Sequence, residues 1–237
     1  MSDHDKKNMD IDFGDFEEDK TPETKEPIVS DLDLSKKEDK KVAKSRLLII
    51  RHGNTFKAGE TPRRIGARTD MQLTVEGRQQ LAKLKLHLEQ YNMFPDRVYA
   101  GPLQRTLQSA QELTKSYEIL EFLREIYHGL DENKTDAEIM KRVGKQALVK
   151  WELENKLPPG WVADLLYIRQ GWNGVKKLCR DSGGTWATVT SGGIARFAFD
   201  DVENVPKIRK LATGAYGILT YDHEKNKWVC EGWNIKP

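Results

Sequence analysis

The sequence predicts an α/β domain built on a mostly parallel sheet and preceded by a charged N-terminal tail. Three observations carry this prediction. The short continuous apolar run Leu47-Leu48-Ile49-Ile50 has the character of a strand buried on both faces. From there onward, short apolar or β-branched runs alternate with segments of helical spacing, the order expected of helices packed on a parallel sheet. Residues 1–43, in contrast, are rich in Asp, Glu, Lys and Pro and show no sustained period.

The elements follow in order. Residues 1–43 hold too little apolar surface to offset the entropy of ordering and are expected to be a disordered tail, with the folded domain spanning 44–237. The strand at Arg46–Arg51 leads to a helix over 74–91. Val75, Leu81, Leu84, Leu88 and Tyr91 share one of its faces, and Thr74 is the cap. Arg97–Ala100 reads as a second strand, and Pro102 opens a helix through about residue 116. Ile119–Leu123 reads as a third strand. Residues 135–155 and 162–181 read as helical, separated by Pro158-Pro159-Gly160. Thr185–Thr190 is a β-branched strand; a helix is expected over Ile194–Phe199 and a short one over Pro206–Leu211. Ala215–Tyr221 and Lys227–Trp233 form a hairpin turning through Asp222–Asn226.

Charge is unevenly distributed. Residues 1–45 carry 14 acidic and 9 basic side chains, whereas residues 46–237 carry 23 acidic and 30 basic. A basic body attracts anions. The lysines and arginines are scattered without dense runs or aromatic interleaving, so nucleic acid is not the expected partner. Ile11, Phe13 and Phe16 offer a docking motif for a protein partner within the acidic tail; a solvated tail is the plainer alternative. The two cysteines, Cys179 and Cys230, form no CxxC pair and suggest no disulfide framework. There is no apolar leader and no run long enough to span a membrane, which makes the cytoplasm the default location.

In such sheets, ligands sit beyond the carboxyl ends of the strands. Three places therefore matter: after Arg51, after Ala100 and after Thr190. At the first, Arg51-His52-Gly53-Asn54-Thr55 puts an imidazole on a rigid base. A neutral imidazole is a competent nucleophile toward phosphorus. Arg51 and Asn54 add donors for phosphoryl oxygens. At the second, Arg105 lies in the first turn of a helix, and both a guanidinium and a helix N-terminus favour a phosphate. Beyond the third strand, Glu125 in Leu123-Arg124-Glu125-Ile126-Tyr127-His128-Gly129 is a candidate proton donor to a leaving alkoxide, with Asp131 and Glu132 as rivals.

Taken together, these blocks resemble the histidine phosphatase superfamily, the phosphoglycerate-mutase-like fold. Arg51-His52-Gly53 looks like the family's strand-end Arg-His-Gly. Gly66, Asp70 and Leu73-Thr74-Val75-Glu76-Gly77-Arg78 look like its next segment. Gly101 to Ala110 is similar to its Ser-Pro-Leu-x-Arg-Ala-x-x-Thr-Ala block, and Arg124 to Gly129 to its acid block. The resemblance spans roughly residues 46–235. It implies a single three-layer domain and a reaction in which His52 attacks phosphorus and becomes phosphohistidine. It further implies that Arg51 and Arg105 neutralise the phosphoryl oxygens and that Glu125 protonates the departing oxygen. The implied substrate is a small phosphorylated molecule. No metal is needed, no metal-ligand cluster stands out, and no cofactor is expected.

The resemblance breaks at one point. The family carries a second histidine at a strand-end His-Gly near the C-terminus, where this chain has Ser191-Gly192-Gly193. Ser191 and Gly192 then take that place among the phosphate-binding residues. A hydroxyl still donates one hydrogen bond but brings no charge, and losing one preorganised donor typically costs on the order of ten- to a thousand-fold in rate. Arg63, Arg64, Arg68 or His128 are candidates to supply the missing charge. The leading expectation is a phosphomonoester phosphatase. The alternative is a degenerate member that binds a phosphorylated ligand or a protein without turnover, and a phosphomutase ranks below both.

Overall fold

The computed structural model describes residues 45–237. The expectations for the tail, including Ile11, Phe13 and Phe16, lie outside the described residues. Within them, seven strands form one sheet in the order β3-β2-β4-β1-β6-β7-β5. The strands are β1 (Ser45–Arg51), β2 (Arg97–Ala100), β3 (Glu118–Ile119), β4 (Thr185–Thr190), β5 (Val202–Glu203), β6 (Tyr216–Asp222) and β7 (Lys227–Ile235). Parallel pairing joins β1 to β4, β4 to β2, β2 to β3 and β7 to β5. The antiparallel pairs are β1 with β6 and the β6–β7 hairpin.

Alternation along β1 sends its apolar run to both faces of the sheet. Leu48 and Ile50 pack with Leu81, Leu84 and Leu88 of α1 (Val75–Gln90) and with Ala110 and Leu113 of α2 (Gln104–Leu113). Leu47 and Ile49 pack on the other face with α3 (Asp136–Val143), α4 (Lys145–Glu154) and α5 (Leu165–Ser182), through Ile139, Leu148, Trp151, Trp172 and Val175. Helices thus cover both faces, giving three layers. Each fully buried leucine of α1 contributes about 1.5–3 kcal/mol.

The buried stripe of α1 is narrower than its apolar period suggests. Val75 is 69% exposed and Tyr91 58% exposed, because one is the first residue of the helix and the other lies past its end. Thr74 caps α1 by accepting from Gly77 N–H at 3.0 Å. The start of α2 is capped by a distant residue: Asp70 Oδ1 accepts from Gln104 N–H at 2.6 Å. Thr135 and Glu138 form a capping box for α3. Gly144, at φ +79°, divides the expected helix over 135–155 into α3 and α4.

Two expected elements differ. The strand read at Ile119–Leu123 is only the two-residue β3, followed by a 3₁₀ turn over Glu121–Leu123. The apolar run is real, but it serves helix packing: Phe122 is buried edge-on against Trp172, and an added Cβ on Gly171 would meet its ring. Pro206–Leu211 forms no helix. Its backbone groups have tertiary partners instead, with Leu211 C=O accepting from Arg51 at 2.7 Å and the next amide, Ala212 N–H, donating to Asn234 Oδ1 at 2.7 Å. The helix expected over Ile194–Phe199 is the short α6 (Gly192–Ala195), which begins earlier and unwinds into turns.

Register brings the three strand ends together. Arg51 lies opposite Thr190, and Val189 opposite Ala100. Among the described residues, no helix is long and apolar enough to cross a membrane. Cys179 and Cys230 are free and buried.

Candidate active site

The carboxyl ends of β1 and β4 open into a cavity of about 440 Å³. Arg51, His52 and Asn54 line it after β1, Gly192 and Gly193 after β4, and Glu125 and His128 from the segment after the 3₁₀ turn. Among the described residues, six cationic side chains line it: Arg51, Lys57, Arg63, Arg64, Arg196 and Lys210. They face four carboxylates, those of Glu60, Glu76, Glu125 and Glu152.

His52 is 2% exposed. Its backbone N–H pairs with Thr190 C=O at 3.0 Å, extending the β1–β4 ladder by one residue. Its Nδ1 lies 2.8 Å from Gly53 C=O. A carbonyl can only accept, so Nδ1 carries the hydrogen and the lone pair of the neutral ring is on Nε2. Burial pushes the pKa well below the ordinary histidine value, and the neighbouring charges of Arg105 and Arg51 push it further down. The ring is therefore uncharged at neutral pH.

The loop carrying His52 is pressed against α1. An added Cβ on Gly53 would sit 2.8 Å from the carbonyl carbon of Gly77, and one on Gly77 would sit 2.8 Å from Asn54 N. Two glycines in register permit this approach. Gly53 N–H donates to Ser109 Oγ at 3.1 Å, and Ser109 Oγ donates to Arg105 C=O at 2.6 Å, which ties the loop to α2. Asn54 N–H donates to Gln80 Oε1 at 2.8 Å, and its side-chain oxygen accepts from the Thr213 hydroxyl.

Arg51 runs along the cavity, donating to Leu211 C=O. Arg105 is fully buried and does not line the cavity. Its guanidinium donates to the carbonyls of Thr69 at 2.6 Å, Gly66 at 3.2 Å and Ile65 at 3.3 Å. Its Nε–H is buried without a partner among the described residues. Burial lowers its pKa to about 10, opposed by the Glu125 carboxylate, so it remains a cation at neutral pH.

Glu125 is 8% exposed. Oε1 accepts from Ile126 N–H at 2.8 Å and Oε2 from Gly193 N–H at 3.1 Å. Its sequence rivals are engaged elsewhere and line no part of the cavity. Asp131, fully buried, accepts from Arg142 and from the Trp161 indole N–H at 2.5 Å. Glu132 accepts from Arg68 N–H at 3.1 Å and from the Thr69 hydroxyl.

Ser191 is 1% exposed, and its hydroxyl has no partner among the described residues. Of the candidates to replace the missing charge, His128 is held neutral, chiefly by burial and then by the charges of Arg64, Arg105 and Arg196. Arg68 stacks on Tyr127 at 4.4 Å, away from the cavity, while Arg63 and Arg64 line it.

Sequence reasoning missed several cavity residues. Glu152 comes from α4 and carried no local signal. Arg196 and the stretch 210–213 reach the cavity because the chain after β4 unwinds and returns along Arg51. Among the described residues, no group of His, Cys, Asp and Glu is arranged to hold a metal ion.

Comparisons with known proteins place the chain in a family. The model of the histidine phosphatase superfamily, branch 1, matches residues 47–236. Among solved structures, a mycobacterial hydrolase is similar at 19% identity and TM-score 0.67, covering 82% of this chain and 100% of its own. A mycobacterial glucosyl-3-phosphoglycerate phosphatase is similar at 19% identity and TM-score 0.65, covering 81% of this chain and 100% of its own. A phosphoserine phosphatase from Entamoeba histolytica, in complex with 3-phosphoglyceric acid, is similar at 20% identity and TM-score 0.62, covering 81% and 97%. No curated protein sequence shows significant similarity. With the family model matched over nearly all of the described residues, the chain belongs to the histidine phosphatase superfamily, branch 1.

Proposed function

We propose that the protein is a phosphomonoester phosphatase working through a phosphohistidine at His52 on a small phosphorylated substrate. One observation carries the reading. A buried, uncharged imidazole is locked by its own Gly53 carbonyl into the tautomer that leaves the Nε2 lone pair for attack. The Nε2 lone pair forms the N–P bond as the P–O bond to the leaving group breaks. Glu125 gives its proton to the departing oxygen. The Nδ1–H to Gly53 hydrogen bond strengthens as the ring gains positive charge. In the second half, the Glu125 carboxylate takes a proton from water, the water oxygen attacks phosphorus, and the N–P electrons return to Nε2.

Arg51, Asn54 and Gly192 line the cavity and are the proposed phosphoryl-binding groups; Ser191 and Arg105 do not line it and would join them only through the Ser191 hydroxyl and the Arg105 Nε–H, which have no partner among the described residues. Their value lies in being fixed before charge develops in the transition state. The reaction needs no cofactor.

A second reading rests on Ser191 and Arg105. With an uncharged hydroxyl at the end of β4 and three of the Arg105 hydrogen bonds spent on backbone carbonyls, the cavity could bind a phosphorylated ligand without turning it over. One assay separates the two. The full chain is incubated with an aryl phosphate beside a His52→Ala control, and acid-labile phosphate is trapped on the protein. Release and trapping that vanish in the control support the enzyme; equal background in both supports the binding module.

A further inference from the structure

Among the described residues, His128 is the one histidine beside His52 that lines the cavity, and it is 1% exposed. Neither ring nitrogen has a partner among the described residues. Leaving a buried polar group unpaired costs about 1–3 kcal/mol, so an unpaired imidazole at a cavity wall is arranged for something that enters the cavity. The ring is firmly held. It packs edge-on against Trp161 at 4.4 Å, and its Nδ1 would be 2.6 Å from an added Cβ on Gly66. Trp161 packs on Trp151 at 5.3 Å, and the Arg196 guanidinium lies 3.8 Å above the Trp151 ring. Arg196 is paired with Glu152 at 3.2 Å, both sides of the pair buried, and its Nε–H is unpartnered. Both residues line the same cavity as His128.

This wall has a definite chemical preference. A neutral imidazole offers one N–H donor and one acceptor nitrogen. A ligand carboxylate can satisfy only the donor, and an ammonium only the acceptor. A hydroxyl satisfies either. The Arg196–Glu152 pair is neutral overall, and a hydroxyl can accept from Arg196 or donate to Glu152.

We propose that His128, Glu152 and Arg196 form a subsite for a hydroxyl-bearing leaving group, so that the substrate is the phosphate ester of a polyol or sugar. The identity of the ligand as an ester rests on the phosphatase reading above; the preference for hydroxyls does not.

The test measures binding on the full chain carrying His52→Ala, so that no ester is consumed. Two matched pairs are titrated by calorimetry: glycerol phosphate against propyl phosphate, and ribose 5-phosphate against tetrahydrofurfuryl phosphate. The hydroxylated member of at least one pair should bind about 10- to 100-fold more tightly. Adding His128→Phe should shrink that preference below about 3-fold, and His128→Gln, which keeps a donor and an acceptor, should retain most of it. Independently of any His128 variant, the ¹⁵N resonances of the His128 ring should move with the hydroxylated ester and not with its mate. Equal binding of both members, binding of neither, or a preference that His128→Phe leaves intact overturns the proposal. Absence of phosphate release by the unsubstituted chain, with the preference present, overturns only the phosphatase reading.

Discussion

Glu125 Oε2 accepts a hydrogen bond from Gly193 N–H at 3.1 Å, and the carboxylate fills the space that a side chain at 193 would need. A Cβ added there would lie 2.9 Å from the carboxyl carbon and would collide with Oε1. The colliding group is the far end of a flexible side chain, so it can move at small cost to the fold. Gly193→Ala should therefore leave the free energy of urea unfolding nearly unchanged, within about 1 kcal/mol. Turnover should fall at least about 10-fold if Glu125 is the proton donor proposed above, because the substitution displaces it. Unaltered kcat/KM in this variant would remove Glu125 from the mechanism.

Gly77→Ala is the opposite case. Its Cβ would meet backbone, 2.8 Å from Asn54 N and 3.0 Å from Asn54 C. That backbone lies two residues after His52 and cannot yield without moving β1 or α1. Alanine gains up to about 1 kcal/mol of helix propensity here. Overpacking should outweigh it and leave a net loss of about 1–3 kcal/mol, read from chemical denaturation, together with loss of turnover. A more stable variant would show that the loop and helix are not held as described.

Ser191→Ala separates binding from stability. The hydroxyl is buried and unpartnered, so removing it should leave stability unchanged or raise it by up to about 1 kcal/mol. If the hydroxyl donates to a phosphoryl oxygen, kcat/KM should drop roughly 10-fold. Inhibition by inorganic phosphate should weaken in parallel. Equal inhibition in both proteins would take Ser191 out of the phosphoryl site.

Two buried histidines make stability depend on pH. The folded pKa values of His52 and His128 are both depressed, chiefly by burial, below the ordinary 6.5. As pH falls below that value, the unfolded chain takes up protons that the folded chain refuses. Stability present above pH 6.5 is lost progressively on acidification, by about 1.4 kcal/mol per pH unit for each histidine until its folded value is reached. His128→Phe should flatten the stability profile between pH 5 and 6.5 by one such increment. Parallel profiles for the two proteins would refute the assignment. For the same reason, the acid limb of kcat/KM should lie well below pH 6.5, since His52 stays uncharged there.

The local code for the strands and long helices is plain in the chain. Leu47 to Ile50 is apolar at every position because both faces of β1 are covered, and no folded context is needed to see it. The Arg-His-Gly stands at the end of β1 and Arg105 in the first turn of α2, where backbone geometry already fixes direction, whereas Glu125 follows a 3₁₀ turn and not the strand expected before it. Reading failed where side chains served distant partners. Ile119–Leu123 looked like a strand, but Phe122 is used to pack on α5. Pro206–Leu211 looked helical, but Arg51 binds its last carbonyl and Asn234 the amide of Ala212 that follows.

By itself, then, the sequence determined the strands β1, β2, β4, β6 and β7, the order of the chemical groups and the serine at the end of β4. Only the tertiary structure decided their electrical state and their neighbours. It made His52 and His128 neutral by taking both rings out of water among guanidinium groups. It engaged Asp131 with Arg142 and Trp161 while leaving Glu125 at the cavity, and it brought Glu152 and Arg196 in from separate segments. Burial and charge proximity depend on residues far apart in the chain, so no local pattern can encode them.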